Sequence, residues 1–296
     1  MKYILYNPLS GSGKGKNIIE NLKNIYDDSE YYDVTQIENM VDFIGNLNSS
    51  DRIVLCGGDG TINHFVNDIK EMEIKNDVYY LPIGSGNDFA IDVGKKNITV
   101  PFKLNEYIKN LPVVYLKGDK YRFINGIGYG VDGWCCDRGN SKRKNHKKPI
   151  NYTKEVIKGL ICAYKPKNAV IEVDGEVYSY KKVWLASTMN GRFYGGGVMA
   201  APMQDRLNKE NTVSVLVAHD LSRVRCMSLL PKIIKGTHVK YKKYVDVLTG
   251  HNIKITFNRP NSVQIDGETV RNVLEYRVKT FSHDKTITEE ERNVII

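Results

Sequence analysis

The chain has 296 residues, 41% of them apolar, which is enough to bury a core in one large or two medium domains. No apolar run is long enough to cross a bilayer, and the start enters a strand pattern directly, so the sequence reads as lacking a signal peptide. A formal charge of +9 suits an acidic partner, and five cysteines, odd in number and without metal-ligand spacing, read as free thiols.

In chain order, the first part alternates. Strands are predicted near 2–6, 31–35, 52–56 and 78–82, and helices near 14–26, 37–47, 61–70, 86–93 and 102–110. Alternation of this kind predicts a parallel sheet with helices on both faces. From about 113 the pattern turns to paired strands. Val113–Lys117 and Tyr121–Ile124 flank a turn at Gly118-Asp119, and 169–173 and 177–180 flank Asp174-Gly175. Further strands are predicted at 183–189, 212–218, 244–249, 252–257, 262–265 and 275–280, with a helix near 152–164. The predicted domains are therefore 1–112, α/β, and 113–281, a β-rich sandwich or flattened barrel.

Three predicted strand ends carry Gly/Ser/Asn/Asp turns. The first reads Asn7-Pro8-Leu9-Ser10-Gly11-Ser12-Gly13-Lys14 and lacks both Walker A and dinucleotide-fingerprint spacing. The second is Gly57-Gly58-Asp59-Gly60-Thr61-Ile62-Asn63, opening a helix. Glycines there leave N–H groups bare for phosphate. Asp59 would repel an anion unless a cation or a reacting hydroxyl were also held, which points to a kinase-like site. Alone, this loop reads equally well as a glycine turn with an Asx cap. The third is Gly84-Ser85-Gly86-Asn87-Asp88. In a doubly wound sheet, ligands bind outside the carboxyl ends of the strands.

The order Asn-Pro-x-Ser-Gly, Gly-Gly-Asp-Gly-Thr, Gly-Ser-Gly-Asn-Asp-Phe-Ala resembles the bacterial diacylglycerol kinase and lipid kinase family, relatives of sphingosine and ceramide kinases. The resemblance continues through Phe123-Ile124-Asn125-Gly126-Ile127-Gly128, Met189-Asn190-Gly191, Gly195-Gly196-Gly197, Ala201-Pro202 and Gln264-Ile265-Asp266-Gly267-Glu268. It implies a three-layer nucleotide-binding domain like that of NAD kinase and diacylglycerol kinase, a sandwich-like second domain, and ATP between them. It also implies a C-terminal tail, 282–296, that returns to the first domain.

The resemblance places the general base at Glu268, because a carboxylate in hydrogen-bond reach of an alcohol can take its proton as the new bond forms. It gives Asp59 a place beside the phosphates, through Mg2+ or the acceptor hydroxyl. It turns Asn7, Pro8, Ser10, Gly11, Thr35, Gly57, Gly58, Gly60, Thr61, Asn63, Gly84, Ser85, Asn87 and Asp88 toward the nucleotide, and matches Lys158 to a family lysine near the site. Read without it, Asn87-Asp88 and Thr35 are helix caps, Lys158 is a surface lysine, and the earlier Asp174-Gly175-Glu176 is a hairpin turn.

Three departures stand out. The aspartate usual before the Phe-Ile-Asn motif is missing around Tyr115, with Asp119 in the turn instead. Ser12 replaces a lysine. The loop after Ala201-Pro202 lacks its usual Asp-Gly, leaving Glu210 as the substitute for a structural-metal ligand beside Lys209.

Basic residues cluster at 142–148 and at 223–243, where they interleave with Met227, Leu229, Leu230 and Ile233. No nucleic-acid recognition module accompanies them. A membrane surface fits better. The leading expectation is an ATP- and Mg2+-dependent lipid kinase, cytoplasmic and peripheral at the inner face of the membrane. It would phosphorylate a lipid alcohol, diacylglycerol first, at an anionic surface. An NAD kinase-like enzyme and a catalytically impaired nucleotide- or lipid-binding regulator are the alternatives. The oligomeric state, a homodimer included, is left open.

Overall fold

The computed structural model describes residues 1–13, 15–24, 27–146 and 164–281. Strands β1 (Lys2–Tyr6), β2 (Ser29–Asp33), β3 (Arg52–Gly57) and β4 (Asp77–Pro82) form a parallel sheet in the order β2-β1-β3-β4. A short antiparallel β5 (Phe102–Lys103) closes the edge beyond β4. Ile53, Val54, Leu55 and Cys56 are all buried, because helices cover both faces. On one face α1 (Gly15–Lys23) packs Ile19 and Leu22 onto Ile4, Val54 and Leu81. On the other, α2 (Met40–Gly45), α3 (Asp59–Asp68), α4 (Asp88–Asp92) and α5 (Asn105–Ile108) lie over Leu5, Ile53, Leu55 and Tyr80. Ile62, Phe65 and Phe89 are nearly fully enclosed there, each contributing about 1.5–3 kcal/mol.

Local chemistry moves some predicted boundaries. Strand β2 ends at Asp33, whose carboxylate accepts the Thr35 N–H at 2.9 Å and starts a short 3-10 turn. The next helix starts only at Met40, where Asn39 caps it by accepting from Val41 and Asp42.

The second part holds β6 (Val113–Leu116), β7 (Asp119–Arg122), β8 (Gly126–Gly130), β9 (Lys167–Val173), β10 (Glu176–Val183), β11 (Leu185–Met189), β14 (Val213–Ala218), β15 (Val245–Gly250), β16 (Asn252–Ile265) and β17 (Glu268–Lys279). The hydrogen-bonded order is β15-β14-β11-β8-β16-β17-β6-β7, with β9 and β10 branching from β16. A separate hairpin pairs β12 (Phe193–Tyr194) with β13 (Val198–Met199). The stretches predicted separately at 252–257 and 262–265 are one strand. Its register slips between Thr256 and Val263, so its first half pairs with β9 and its second with β8. The sheet thereby folds over a shared core that includes Ile171, Val215, Val217, Ile255, Phe257 and Tyr276, the sandwich-like arrangement expected.

Over the outer face, α6 (Val131–His146) and α7 (Arg223–Ile234) bury Val131, Cys135, Cys226 and Leu229 against Trp184 and Leu216. The turn predicted at Gly118-Asp119 sits one residue earlier. Lys117 and Gly118 take the positive φ values, 53° and 88°, that a two-residue hairpin needs, and Asp119 opens β7.

Candidate functional site

The carboxyl ends of β1, β3 and β4 lie side by side, and the three sequence-predicted loops meet there. Asn7 donates its N–H to the Cys56 carbonyl at 3.1 Å, and its side-chain oxygen accepts from Leu9 at 2.9 Å, shaping the turn through Pro8 and Ser10 to Gly11, where φ is 61°. Its amide reaches the Thr61 hydroxyl at 3.5 Å, tying the first loop to the second. A Cβ on Gly57 would lie 2.1 Å from the Thr61 hydroxyl, and one on Gly84 2.5 Å from the Gly58 Cα. The second and third loops therefore touch backbone to backbone, which only glycine permits. At Gly60 a Cβ would meet nothing within 4 Å, so that side of the loop is open. Ser85 stands exposed on the rim.

Asp59 is the first residue of α3, and its carboxylate is the hub of the seam between the two sheets. It accepts the backbone N–H groups of Asp88 (2.9 Å) and Phe89 (2.8 Å) and the Asn125 amide (3.1 Å). It thus caps α4. Asn87, expected as the cap, takes a left-handed φ of 54° and makes no capping bond. Its amide donates instead to the Gly84 carbonyl at 2.8 Å, while its buried oxygen, between the Gly58 and Gly84 loops, has no hydrogen-bond partner.

Opposite these loops stands the β16–β17 hairpin. Asp266 and Gly267 form its two-residue turn, with φ of 45° and 97°. The Asp266 carboxylate accepts the N–H groups of Ile124 (2.6 Å), Asn125 (2.9 Å) and Gly126 (2.9 Å) and the Asn63 amide (2.9 Å). Burial holds its carboxyl above the usual range, partly offset by these donors. Asn63 lies one helical turn beyond Asp59, so the hairpin tip is pinned to the helix that the glycine loop opens. Glu268, the first residue of β17, is exposed and has no hydrogen-bond or ion-pair partner among the described residues. The first triplet forms the same turn, with φ of 50° at Asp174 and 91° at Gly175, but among the described residues the Asp174 carboxylate accepts only from His251 and Asn252, away from the seam.

Further contacts close the seam. Asp88 accepts the N–H groups of Gly196 (2.8 Å) and Gly197 (2.6 Å). Gly195, Gly196 and Gly197 all have positive φ, and the amides of Gly196 and Gly197 turn onto the Asp88 carboxylate as an anion-holding nest. Burial, then the neighbouring Asp59, pushes the Asp88 carboxyl up to about 6. Asp92 pairs with Arg192 (2.7 Å) and Arg206 (2.6 Å), and the Arg206 and Asp92 side chains are each 4% exposed. Arg206 also donates to the Ile124 carbonyl and to the Asn125 side chain, at 3.0 and 3.2 Å. A Cβ on Gly191 would fall 2.0 Å from the Arg206 guanidinium. The Asn190-Gly191 and triple-glycine motifs were visible as motifs. Arg206 was not, because it lies in a loop otherwise read for metal.

Among the described residues, neither Thr35 nor Glu210 bonds to the groups of the seam. Thr35 is not a helix cap: it donates its hydroxyl to Asp33 at 2.7 Å, at the end of an edge strand. Glu210 is exposed, and the loop around it is closed by amides: Gln204 donates to the carbonyls of Asn190, Asp205 and Thr212, and Asn208 to those of Asp205 and Thr212. Among the described residues no three His, Cys, Asp or Glu side chains group at metal-binding distances. Lys158, the helix predicted near 152–164 save its last residue, and the tail 282–296 lie outside the described residues.

A parallel sheet with glycine loops at its carboxyl edge, facing the hairpin of a folded-over β domain, defines a class of two-part α/β proteins that bind ligands at the strand ends. Comparison narrows the class. Residues 2–112 match the diacylglycerol kinase catalytic domain, and residues 125–279 match the YegS C-terminal NAD kinase beta sandwich-like domain. The chain belongs to the bacterial diacylglycerol kinase and lipid kinase family that these two domains define. It is 23% identical to the diacylglycerol kinase of Bacillus subtilis over 90% of this chain and 88% of that one. It is 25% identical to the diacylglycerol kinase of Mycobacterium tuberculosis over 64% of this chain and 62% of that protein. A crystal structure of a diacylglycerol kinase from Bacillus anthracis superposes with a TM-score of 0.65 at 19% identity, covering 95% and 94% of the two chains, which shows a common fold. No helix among the described residues is long and apolar enough to cross a membrane.

Proposed function

We propose that this protein transfers the γ-phosphoryl group of ATP to the hydroxyl of a membrane lipid alcohol, diacylglycerol being the first candidate. The observation that carries the reading is the hairpin tip: Asp266, locked by four donors, is bonded to Asn63, one helical turn beyond Asp59 of the glycine loop, and two residues further on Glu268 offers an exposed carboxylate. Family membership supports phosphoryl transfer, and the names of the relatives support a lipid acceptor.

The residues present fit a nucleoside triphosphate. The open face at Gly60 leaves backbone N–H groups within reach of phosphate oxygens. The orphaned, buried Asn87 oxygen is an acceptor suited to a hydroxyl or amino group of the nucleotide. ATP, when bound, supplies the phosphoryl group and its leaving group. Glu268 accepts the proton of the acceptor hydroxyl as it attacks. Asp59 and Asn125 hold the start of α4 against the loop, and Asp266 fixes the height of Glu268. Phosphoryl transfer depends chiefly on such positioning. Magnesium would be held by the phosphates, water and the Asp59 carboxylate, and would offset the charge on the transferring group. The test is transfer of radiolabelled γ-phosphate to a panel of lipid alcohols and to NAD, read by chromatography. Label on a lipid alcohol is the expected result. Label on NAD alone, or on nothing, refutes it in favour of an NAD kinase-like enzyme or a regulator.

A further inference from the structure

We infer that α7 and the turn that follows it form a docking face for an anionic lipid bilayer; this deepens the reading above, from which it takes the need to reach a lipid. Between Leu221 and Tyr244 the chain has seven Lys or Arg and no Asp or Glu. The flanking carboxylates, Asp220 and Asp246, face His219 at 3.2 and 3.3 Å. Within α7, Cys226, Leu229 and Ile233 are buried against the sheet. A second apolar line, Val224, Met227, Pro231 and Ile234, follows the i, i+3, i+7, i+10 spacing of one helix face and points to solvent. Val224 is 77% exposed, Met227 40% and Ile234 37%. A helix that met only water would put polar residues there.

The surroundings suit a headgroup boundary. The Lys232 ammonium lies 4.6 Å from the centre of the Tyr241 ring, and Arg225 and Lys243 each lie 5.6 Å from that of Tyr244. Rings with a polar tip and cations on long apolar stems settle at such interfaces. A nucleic-acid backbone would use the cations but has no use for the Val224–Ile234 line, whereas a bilayer uses both. The face also reaches the site. The packing of α7 on β13 is close enough that a Cβ on Gly236 would fall 2.4 Å from the Met199 sulfur, and His238 bonds the Ala200 carbonyl at 3.0 Å. The hairpin that β13 closes has the Gly195–Gly197 nest at its tip, gripping Asp88. A bilayer held on α7 therefore lies beside the lip of the seam.

The test is flotation of the full chain with phosphatidylcholine vesicles, with and without phosphatidylglycerol, at low and high salt. The wild type is expected to float with the anionic vesicles and to release in high salt. The triple variant Lys235→Ser/Lys240→Ser/Lys242→Ser should weaken partitioning on the order of a hundredfold, and Val224→Ser/Met227→Ser should weaken it roughly tenfold or more. Both sets lie on the exposed surface, and thermal unfolding reports whether each variant folds like the wild type. Variants that float like the wild type, equal binding to neutral vesicles, or capture of single-stranded DNA in preference to vesicles would each overturn the inference. Flotation needs no phosphoryl transfer, so a chain that floats but labels no lipid refutes the kinase reading and leaves the docking face standing. One that labels a detergent-dispersed short-chain lipid alcohol but never floats refutes the docking face alone.

Discussion

Asp88→Asn should make the protein more stable at neutral pH while lowering its activity. Asp88 is 5% exposed, and its carboxyl is pushed from 3.8 up to about 6 by burial and by Asp59, even though two glycine N–H groups favour its charged form. A raised folded-state value means that the native chain holds this proton more tightly than the unfolded chain does. The stability so contributed is fully present below about 3.8 and is lost as the pH rises through about 6. The difference corresponds to ~3 kcal/mol at neutral pH. Asparagine is close to a permanently protonated aspartate in shape. The variant should therefore match the wild type near pH 4 and exceed it by up to ~3 kcal/mol at pH 7, several degrees in melting temperature. Denaturant unfolding at half-unit intervals from pH 4 to 7.5 measures this directly. A stability difference that stays flat across the range, or a variant less stable at pH 7, would refute the claim that a strained, ionised carboxylate sits in the seam. A protein that keeps such a group at the expense of stability keeps it for use, so γ-phosphate transfer by the variant should fall even as its melting temperature rises.

Two further changes probe the chemistry and the cradle. Glu268→Gln keeps the shape of the hairpin tip and removes its basicity, so turnover should drop on the order of a hundredfold or more with ATP binding nearly intact; near-normal turnover would remove Glu268 as the base, and Glu176→Gln in the matching remote hairpin serves as the silent control. Gly84→Ala places a methyl 2.5 Å from the Gly58 Cα and 2.6 Å from the Asn87 oxygen, which should cost about 1–3 kcal/mol of overpacking and abolish ATP binding by calorimetry. Gly60→Ala meets nothing within 4 Å, so it should fold normally and lose affinity only because the phosphates need that space; unchanged affinity in both variants would show that the nucleotide binds elsewhere.

Much of the first sheet was legible in the sequence because parallel strands buried on both faces, such as Ile53–Cys56, are apolar throughout, and each ends in a turn of restricted chemistry. The helices were less legible in length. Their caps decide the boundaries: Asp33 and Asn39 reset those around α2 locally, and Asp59 caps α4 from across the site. In the second sheet the two-residue turns were readable, but β16 was split in two because its bulge interrupts the alternation. The candidate residues that converge were those on loops fixed by glycine. What the sequence could not show is which partner each polar group would find. Asp59 looked free for a cation and is taken up by three donors, whereas Arg206, in a loop read for metal, reaches the buried Asp92. The two Asp-Gly-Glu turns are locally alike, and only long-range packing sets them apart.

The chain of contacts Asp59–Asn125–Arg206–Asp92 draws on four segments far apart in sequence and belongs to neither sheet. Swinging the two halves apart on a hinge would break its two outer links, Asp59–Asn125 and Arg206–Asp92, along with the Asn63–Asp266 bond at the hairpin tip. Large-scale gaping is therefore a poor way for this protein to admit a bulky acceptor or release a product. The rim is cheaper to move: Ser85, Gly195 and Glu268 are exposed, and a Cβ on Gly195, Gly196 or Gly197 would meet nothing within 4 Å. Lifting the glycine lip breaks the two bonds to Asp88, fewer contacts than parting the sheets.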